Sequence, residues 1–180
     1  TKTVKDCILR LKKVTNTMLR YGNPVSNEKK LINIDQVIQD IILISNAECK
    51  KRKIHIKVTL QKIPQIYGDA HSLHQALLNI LLNSIQAINT NGNIHIKISE
   101  TKFYNQKQHL QKGISISIHD DGPGIDQNKI NNVFDPFYST KYGNAGLGLS
   151  IVFKTISLHH GTISINSVQK KHTLITIHLP

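Results

Sequence analysis

Five segments of this chain place apolar residues at alternate positions: Ile54, Ile56, Val58 and Leu60; Ile94, Ile96 and Ile98; Ile114, Ile116 and Ile118; Ile163 and Ile165; and the stretch Leu174-Ile-Thr-Ile177. Successive side chains of a strand point to opposite faces, so this alternation specifies a sheet with one buried face. Such a face needs a cover, and two stretches with helical periodicity supply one. The first is expected from Asp35, which can cap it, to a basic end at Arg52, with Val37, Ile38, Ile41, Ile42 and either Ile44 or Ser45 inward. The second is expected from about Ala70 to Ile88, with Leu73, Leu77, Ile80, Leu81, Ile85 and Ile88 inward, after a loop punctuated by Pro64 and Gly68. Asn91-Gly92 then turns the chain back into a strand. The expected fold is a two-layer α/β sandwich with a mixed, mainly antiparallel sheet covered by helices.

The remaining sequence falls before this unit. Val4, Cys7, Leu11, Val14, Met18 and Tyr21 are spaced by threes and fours, a heptad-like seam closed by Gly22-Asn-Pro24. A helix packed on its own core and a helix associated with another helix both fit that seam. The division expected is a coiled-coil-like helix at 1–23, a linker at 24–33 and a domain at 34–180. Among 180 residues there is no long apolar run of the roughly 20 residues that span a bilayer. Cys7 and Cys49 lack metal-ligand spacing and read as ordinary thiols of a reducing compartment. The formal charge of +12 would suit a nucleic-acid partner, but the lysines are scattered and aromatics are few, so nucleic acid is not expected.

Three blocks carry candidate chemistry. Asn79 and Asn83 stand one turn apart on a strongly apolar helix, where a carboxamide needs a partner; a metal ion with phosphates is one, a neighbouring loop another. Asp120 ends an alternating strand and is followed by Gly122, Gly124 and Ile125, so a carboxylate sits beside backbone that a flat ligand can approach. The bland reading of Asp120 is a cap of the following turn. The glycine run Gly143-Asn-Ala-Gly-Leu-Gly-Leu149 leads into an apolar helix, a setting suited to phosphate.

In order and spacing these blocks resemble the ATP-binding domain shared by sensor histidine kinases, DNA gyrase, MutL proteins and heat-shock chaperones, the GHKL group. Val133-Phe-Asp-Pro-Phe-Tyr-Ser-Thr-Lys141 resembles the F box of the histidine kinases, and His160-Gly161 resembles the region after their second glycine box. Within that branch the sequence looks most like the nitrogen-regulation and metal-response type.

The resemblance implies ATP and Mg²⁺ as ligands. Asn83 would coordinate Mg²⁺, and Asn79 would orient phosphate or solvent where the ATPase branches carry a water-activating glutamate. Asp120 would accept from the adenine amine, with Gly122, Gly124 and Ile125 along the base. Thr173 would lie near the adenine, although the usual preceding glycine is His172 here. A lid between Asp126 and Leu147 would include Phe137, bring Lys141 to the phosphates as a catalytic residue beside Asn79 and Asn83, and close through Gly146, Leu147, Gly148 and Leu149, while the common threonine of the glycine box is Ala145. Phe134, Pro136, Phe137 and Tyr138 would pack its hinge. A surface loop is the plain alternative for this region.

The chain is thus expected to be the catalytic ATP-binding region of a cytoplasmic histidine kinase, with membrane attachment only through segments absent here. It would begin partway through the dimerisation hairpin, form a homodimer through residues 1–23 and relay phosphate to a response regulator receiver domain. The acceptor histidine is expected upstream of Thr1, because none of the histidines, including His71, His74, His119, His159 and His160, stands in an acceptor motif; these five are expected at the core edge or surface. The alternatives are a stand-alone GHKL serine/threonine kinase or anti-sigma-type protein, and a degenerate domain that binds a partner without ATP.

Overall fold

The computed structural model describes residues 28–139 and 146–180. The heptad seam, Cys7, Lys141 and Gly143 to Ala145 lie outside them. Strand β1 (Lys30–Ile32) leads into helix α1 (Ile34–Arg52), then β2 (Ile54–Leu60), β3 (Ile66–Gly68) and α2 (Ala70–Ile88). After these come β4 (Gly92–Tyr104), β5 (Leu110–Asp120), a single turn α3 (Gln127–Ile130), α4 (Gly148–Leu158), β6 (Thr162–Val168) and β7 (His172–Leu179). The main sheet has the order β2-β4-β5-β7-β6; β2 and β4 are parallel and every other pair is antiparallel. The two-layer sandwich expected from the alternation is the observed fold.

One sheet face forms the core. Ile94, Ile96 and Ile98 of β4, Ile114, Ile116 and Ile118 of β5, and Ile175, Ile177 and Leu179 of β7 are buried with Leu73, Leu77, Ile80, Leu81 and Ile85 of α2. Val152 and Ile156 of α4 and Ile34, Val37, Ile38 and Ile41 of α1 complete it. At the position left open in α1, Ser45 is the buried residue, its hydroxyl donating to the Ile41 carbonyl at 2.7 Å, while Ile44 is exposed.

Three local expectations are corrected. Asn33, not Asp35, caps α1, its side chain accepting from the Asp35 amide at 3.0 Å; Asp35 instead places a carboxylate in the first turn, where the helix dipole favours it. Residues 30–32, expected within a linker, form β1, and Ile66 to Gly68, expected in a loop, form its antiparallel partner β3. At His159 the correction is larger. It is 3% exposed, in the core rather than at its edge.

Candidate functional site

The end of β5 and the middle strand register bring the polar residues together. Asp120 is opposite Thr173 of β7, and Thr173 is opposite Ser167 of β6. Directly opposed residues share a sheet face, so the row Asp120, Thr173, Ser167 lies on the face that carries Ile118 and Ile175 deeper in the core. All three are buried, and the Ser167 and Thr173 hydroxyls are 3.1 Å apart.

Helix α2 closes over this row. The Ser84 hydroxyl donates to Asp120 Oδ2 at 2.7 Å, and the Gly122 amide donates to Oδ1 at 3.1 Å. Burial pushes the Asp120 carboxyl above the usual carboxylate range, with the Ser84 and Gly122 bonds opposing that rise. A carboxylate so desolvated has a strong incentive to accept from a further donor. Asp121 is exposed and holds the end of β4: its two carboxylate oxygens accept from the Asn93 amide and side chain at 2.8 and 2.9 Å.

The segment after Asp120 is clamped to the β6–β7 hairpin. Ile125 N–H donates to the Ser167 hydroxyl at 2.8 Å, Gln127 donates to the Ser167 carbonyl at 2.6 Å, and Lys170 N–H donates to the Pro123 carbonyl. Gly124 has φ +66°, and a Cβ there would strike the Val168 carbonyl. Both facts demand glycine. At Gly122 a Cβ would lie 2.8 Å from Asp120 Oδ1, so a side chain would disturb the carboxylate itself.

Asn79 and Asn83 line one side of α2, both partly exposed. Asn79 Oδ1 accepts from Gln75 at 3.1 Å, one turn back. Asn83 faces the start of α4: a Cβ on Gly148 would lie 3.7 Å from its Nδ2. Gly148 therefore occupies ordinary space. Gly146 is different, with φ +67° and a Cβ there lying 2.5 Å from the Phe137 carbonyl carbon and 2.7 Å from the Phe137 and Tyr138 carbonyl oxygens. Helix α4 begins without a side-chain cap at Leu147, so the first-turn amides of Leu149 and its neighbours offer the partial positive charge that suits an anion.

The F-box residues divide. Phe134 packs on Phe153 of α4, ring centroids 5.7 Å apart, whereas Phe137 is exposed and has φ +67°. Of the expected residues, then, Asp120, Gly122, Gly124, Ile125 and Thr173 cluster at the β5 end; Asn83 meets Gly148; Asn79 lies one turn away from Asn83; and Phe137 touches the loop through its backbone at Gly146. Sequence reasoning missed Ser84 and Ser167. The available signal for Ser84 was a hydroxyl within the apolar stripe of α2, between Leu81 and Ile88.

The described residues contain no group of three or more His, Cys, Asp or Glu suited to a metal ion. An open cleft of about 500 Å³ lies at the other end of α2, lined by Leu31, Gln36, Asp40, His71 and His74 among others; it contains none of the residues above.

Comparison with known proteins identifies the family. Residues 68–180 match the family described as "Histidine kinase-, DNA gyrase B-, and HSP90-like ATPase". The sensor histidine kinase ZraS of Escherichia coli (strain K12) is 30% identical over 172 residues, which are 95% of this chain and 35% of ZraS. The chain thus spans about a third of the length of that relative. Full-length ShkA in complex with AMPPNP superposes with a TM-score of 0.81 at 20% identity, covering 94% of this chain and 35% of ShkA. ThkA in complex with the response regulator protein TrrA gives 0.75 at 22% identity, covering 99% and 49%. With the family matched over more than half its length, the chain belongs to the histidine kinase-, DNA gyrase B- and HSP90-like ATPases and carries their ATP-binding domain at residues 68–180.

Proposed function

We propose that this chain binds Mg-ATP and serves as the catalytic part of a sensor histidine kinase. The observation that carries the reading is the buried Asp120, held by Ser84 and Gly122 and set beside Thr173, at the same end of α2 as Asn83 and the uncapped start of α4. Asp120 accepts from the exocyclic amine of adenine, which guanine lacks at the matching position. Gly122, Gly124 and Ile125 flank the base, and Gly146 to Leu149 and Lys141 attend the phosphates, with Phe137 part of the lid that closes over them.

The residues fit a magnesium ion that arrives with the nucleotide. Mg²⁺ prefers oxygen ligands and keeps several waters, so the single carboxamide oxygen of Asn83 plus phosphate oxygens suffices, without an all-protein cage. When bound, the ion neutralises phosphate charge. Asn79 supplies an amide, already accepting from Gln75, and an amide cannot take a proton from water. This favours transfer of the γ-phosphoryl to another acceptor over hydrolysis, with catalysis mostly by positioning.

In this reading the acceptor is a histidine outside the chain, and an aspartate of a response regulator receives the phosphoryl next. The ThkA–TrrA likeness and the ZraS relationship support that partner and, less strongly, the metal-response type. The protein works in the cytoplasm and dimerises through residues 1–23. The test is incubation with Mg²⁺, γ-labelled ATP and a phosphoacceptor hairpin of a histidine kinase. Acid-labile phosphate on the hairpin is expected, and loss of that label in Asn83→Ala. Label on this chain alone, or inorganic phosphate release without hairpin label, contradicts the proposal.

A further inference from the structure

His159 is the one buried histidine of the ten in the chain. Its Nε2 lies 2.9 Å from the Asp69 amide and its Nδ1 lies 2.8 Å from the Thr155 carbonyl. A backbone amide only donates and a carbonyl only accepts, so the ring is fixed as the neutral tautomer with its proton on Nδ1. Asp69 is the N-cap of α2, its carboxylate accepting from His71 N, Ser72 N and the Ser72 hydroxyl. Thr155 belongs to the last turns of α4. Gly68 makes room for the ring, since a Cβ there would lie 2.7 Å from its Cδ2.

The two helices run in opposite senses between the same two points. α2 leaves Asp69 and reaches Asn83 after fourteen residues, roughly 21 Å of helix; α4 leaves Gly148, against Asn83, and reaches His159 after eleven, roughly 16 Å. His159 is therefore the fastening at one end of a helix pair whose other end holds Asn83 and Gly148. A change in the spacing at the fastened end tilts one helix against the other and is felt as a displacement at the far end.

We propose that His159 is a positioning residue for the nucleotide site, its neutral ring setting the placement of α2 against α4 and so of Asn83 against Gly148. The proposal rests on the nucleotide reading above for the identity of the ligand. It deepens that reading by making the site responsive to protons. Protonation puts a second N–H on Nε2, facing the Asp69 amide, and removes the acceptor. Burial first, then the Lys29 ammonium and His160, hold the ring below the ordinary histidine range, while the Thr155 carbonyl and the Asp69 carboxylate act the other way. The strap is therefore intact at neutral pH and is lost as pH falls through the ring's own lowered value, which lies below the ordinary histidine value of about 6.5.

The test compares the unaltered chain with His159→Gln, whose side-chain oxygen can accept from Asp69 N–H, and His159→Leu, which cannot. Mg-AMPPNP is titrated from about pH 7.5 to pH 5.5, a window spanning the histidine range. The unaltered chain is expected to lose affinity on acidification more steeply than His159→Gln, in which only the raised Asp120 carboxyl and the nucleotide phosphates still titrate at the site, and the two are expected to bind alike at neutral pH. His159→Leu is expected to be weaker throughout by roughly three- to thirtyfold, the range of couplings carried through packed elements. A Leu variant that binds like the unaltered chain, or a Gln variant with the same loss on acidification, overturns the proposal. Amide hydrogen exchange without nucleotide reads the strap even if His159→Leu folds poorly or the chain binds no nucleotide. Acidifying the unaltered chain should lower the protection factor at Ile151 to Phe153, the first amides of α4 bonded within the helix, once the slower intrinsic exchange at acid pH is divided out, while His159→Gln keeps its protection; equal behaviour of the two overturns the strap. Absence of Mg-AMPPNP binding at neutral pH, with this exchange pattern present, instead overturns the nucleotide reading.

Discussion

Replacing Asp120 with asparagine separates binding from folding with unusual clarity. The native carboxylate accepts twice, from Ser84 at 2.7 Å and from Gly122 N–H at 3.1 Å. Asparagine satisfies both contacts: its oxygen accepts from Gly122 N–H, and its amide donates to Ser84, whose hydroxyl turns from donor to acceptor. The change also removes a charge whose burial raises the native pKa. For an acid raised in the folded state, ionisation costs stability above the unfolded pKa of about 3.9, so the neutral variant is expected to melt at or above the native temperature at pH 7. Binding should move the other way. The acceptor offered to the adenine amine is lost, and a hydrogen bond to a charged group contributes about 1.5–3 kcal/mol, or roughly ten- to hundredfold in affinity. Calorimetric titration with ATP and a thermal melt of the same preparation decide it. Unchanged affinity, or weakened affinity explained by an equally lowered melting temperature, refutes the reasoning.

Asn83→Ala should abolish the difference between ATP titrations with and without Mg²⁺, while leaving metal-free binding close to native. Gly124→Ala should lower the melting temperature by at least about 3 °C, because a left-handed non-glycine residue costs roughly 1–2 kcal/mol before the collision with the Val168 carbonyl is counted. Gly148→Ala, where a Cβ meets only Asn83 Nδ2 at 3.7 Å, should melt like the native chain. Stability should fall as pH drops through the histidine range, since burial lowers both His159 and His178 and the unfolded chain then binds protons first; a melting temperature constant from about pH 7 to pH 5 would contradict this.

The sheet and the two long helices were legible because their periods are sustained: α2 occupies Ala70–Ile88, as its apolar spacing indicates, and Ile94, Ile96, Ile98, Ile114, Ile116 and Ile118 all face the core. β1 and β3 were not, since three residues hold no period, and outward Leu31 and Tyr67 are apolar like their inward neighbours Ile32 and Ile66. The same limit applies to the site. Asp120 with its glycines is a local signal at a strand end. Ser84 and Ser167 become partners only through the packing of α2 and the register of β6 on β7, which no single stretch of sequence contains. Thr173 shows the intermediate case: His172 breaks the local pattern around it, yet the β5–β7 register sets it opposite Asp120. His159 was misread for a different reason, because an isolated histidine at a helix end carries no sign of the amide and carbonyl that meet its two nitrogens.

The central claim is that residues 68–180 form a site for magnesium-bound adenine nucleotide, and the most direct measurement is a calorimetric titration of the folded chain with ATP and with GTP, each with and without Mg²⁺. The account predicts saturable binding of ATP that strengthens with Mg²⁺ and a clear preference for ATP over GTP. Equal binding of the two nucleotides, or no heat from Mg-ATP with a folded chain, would contradict it.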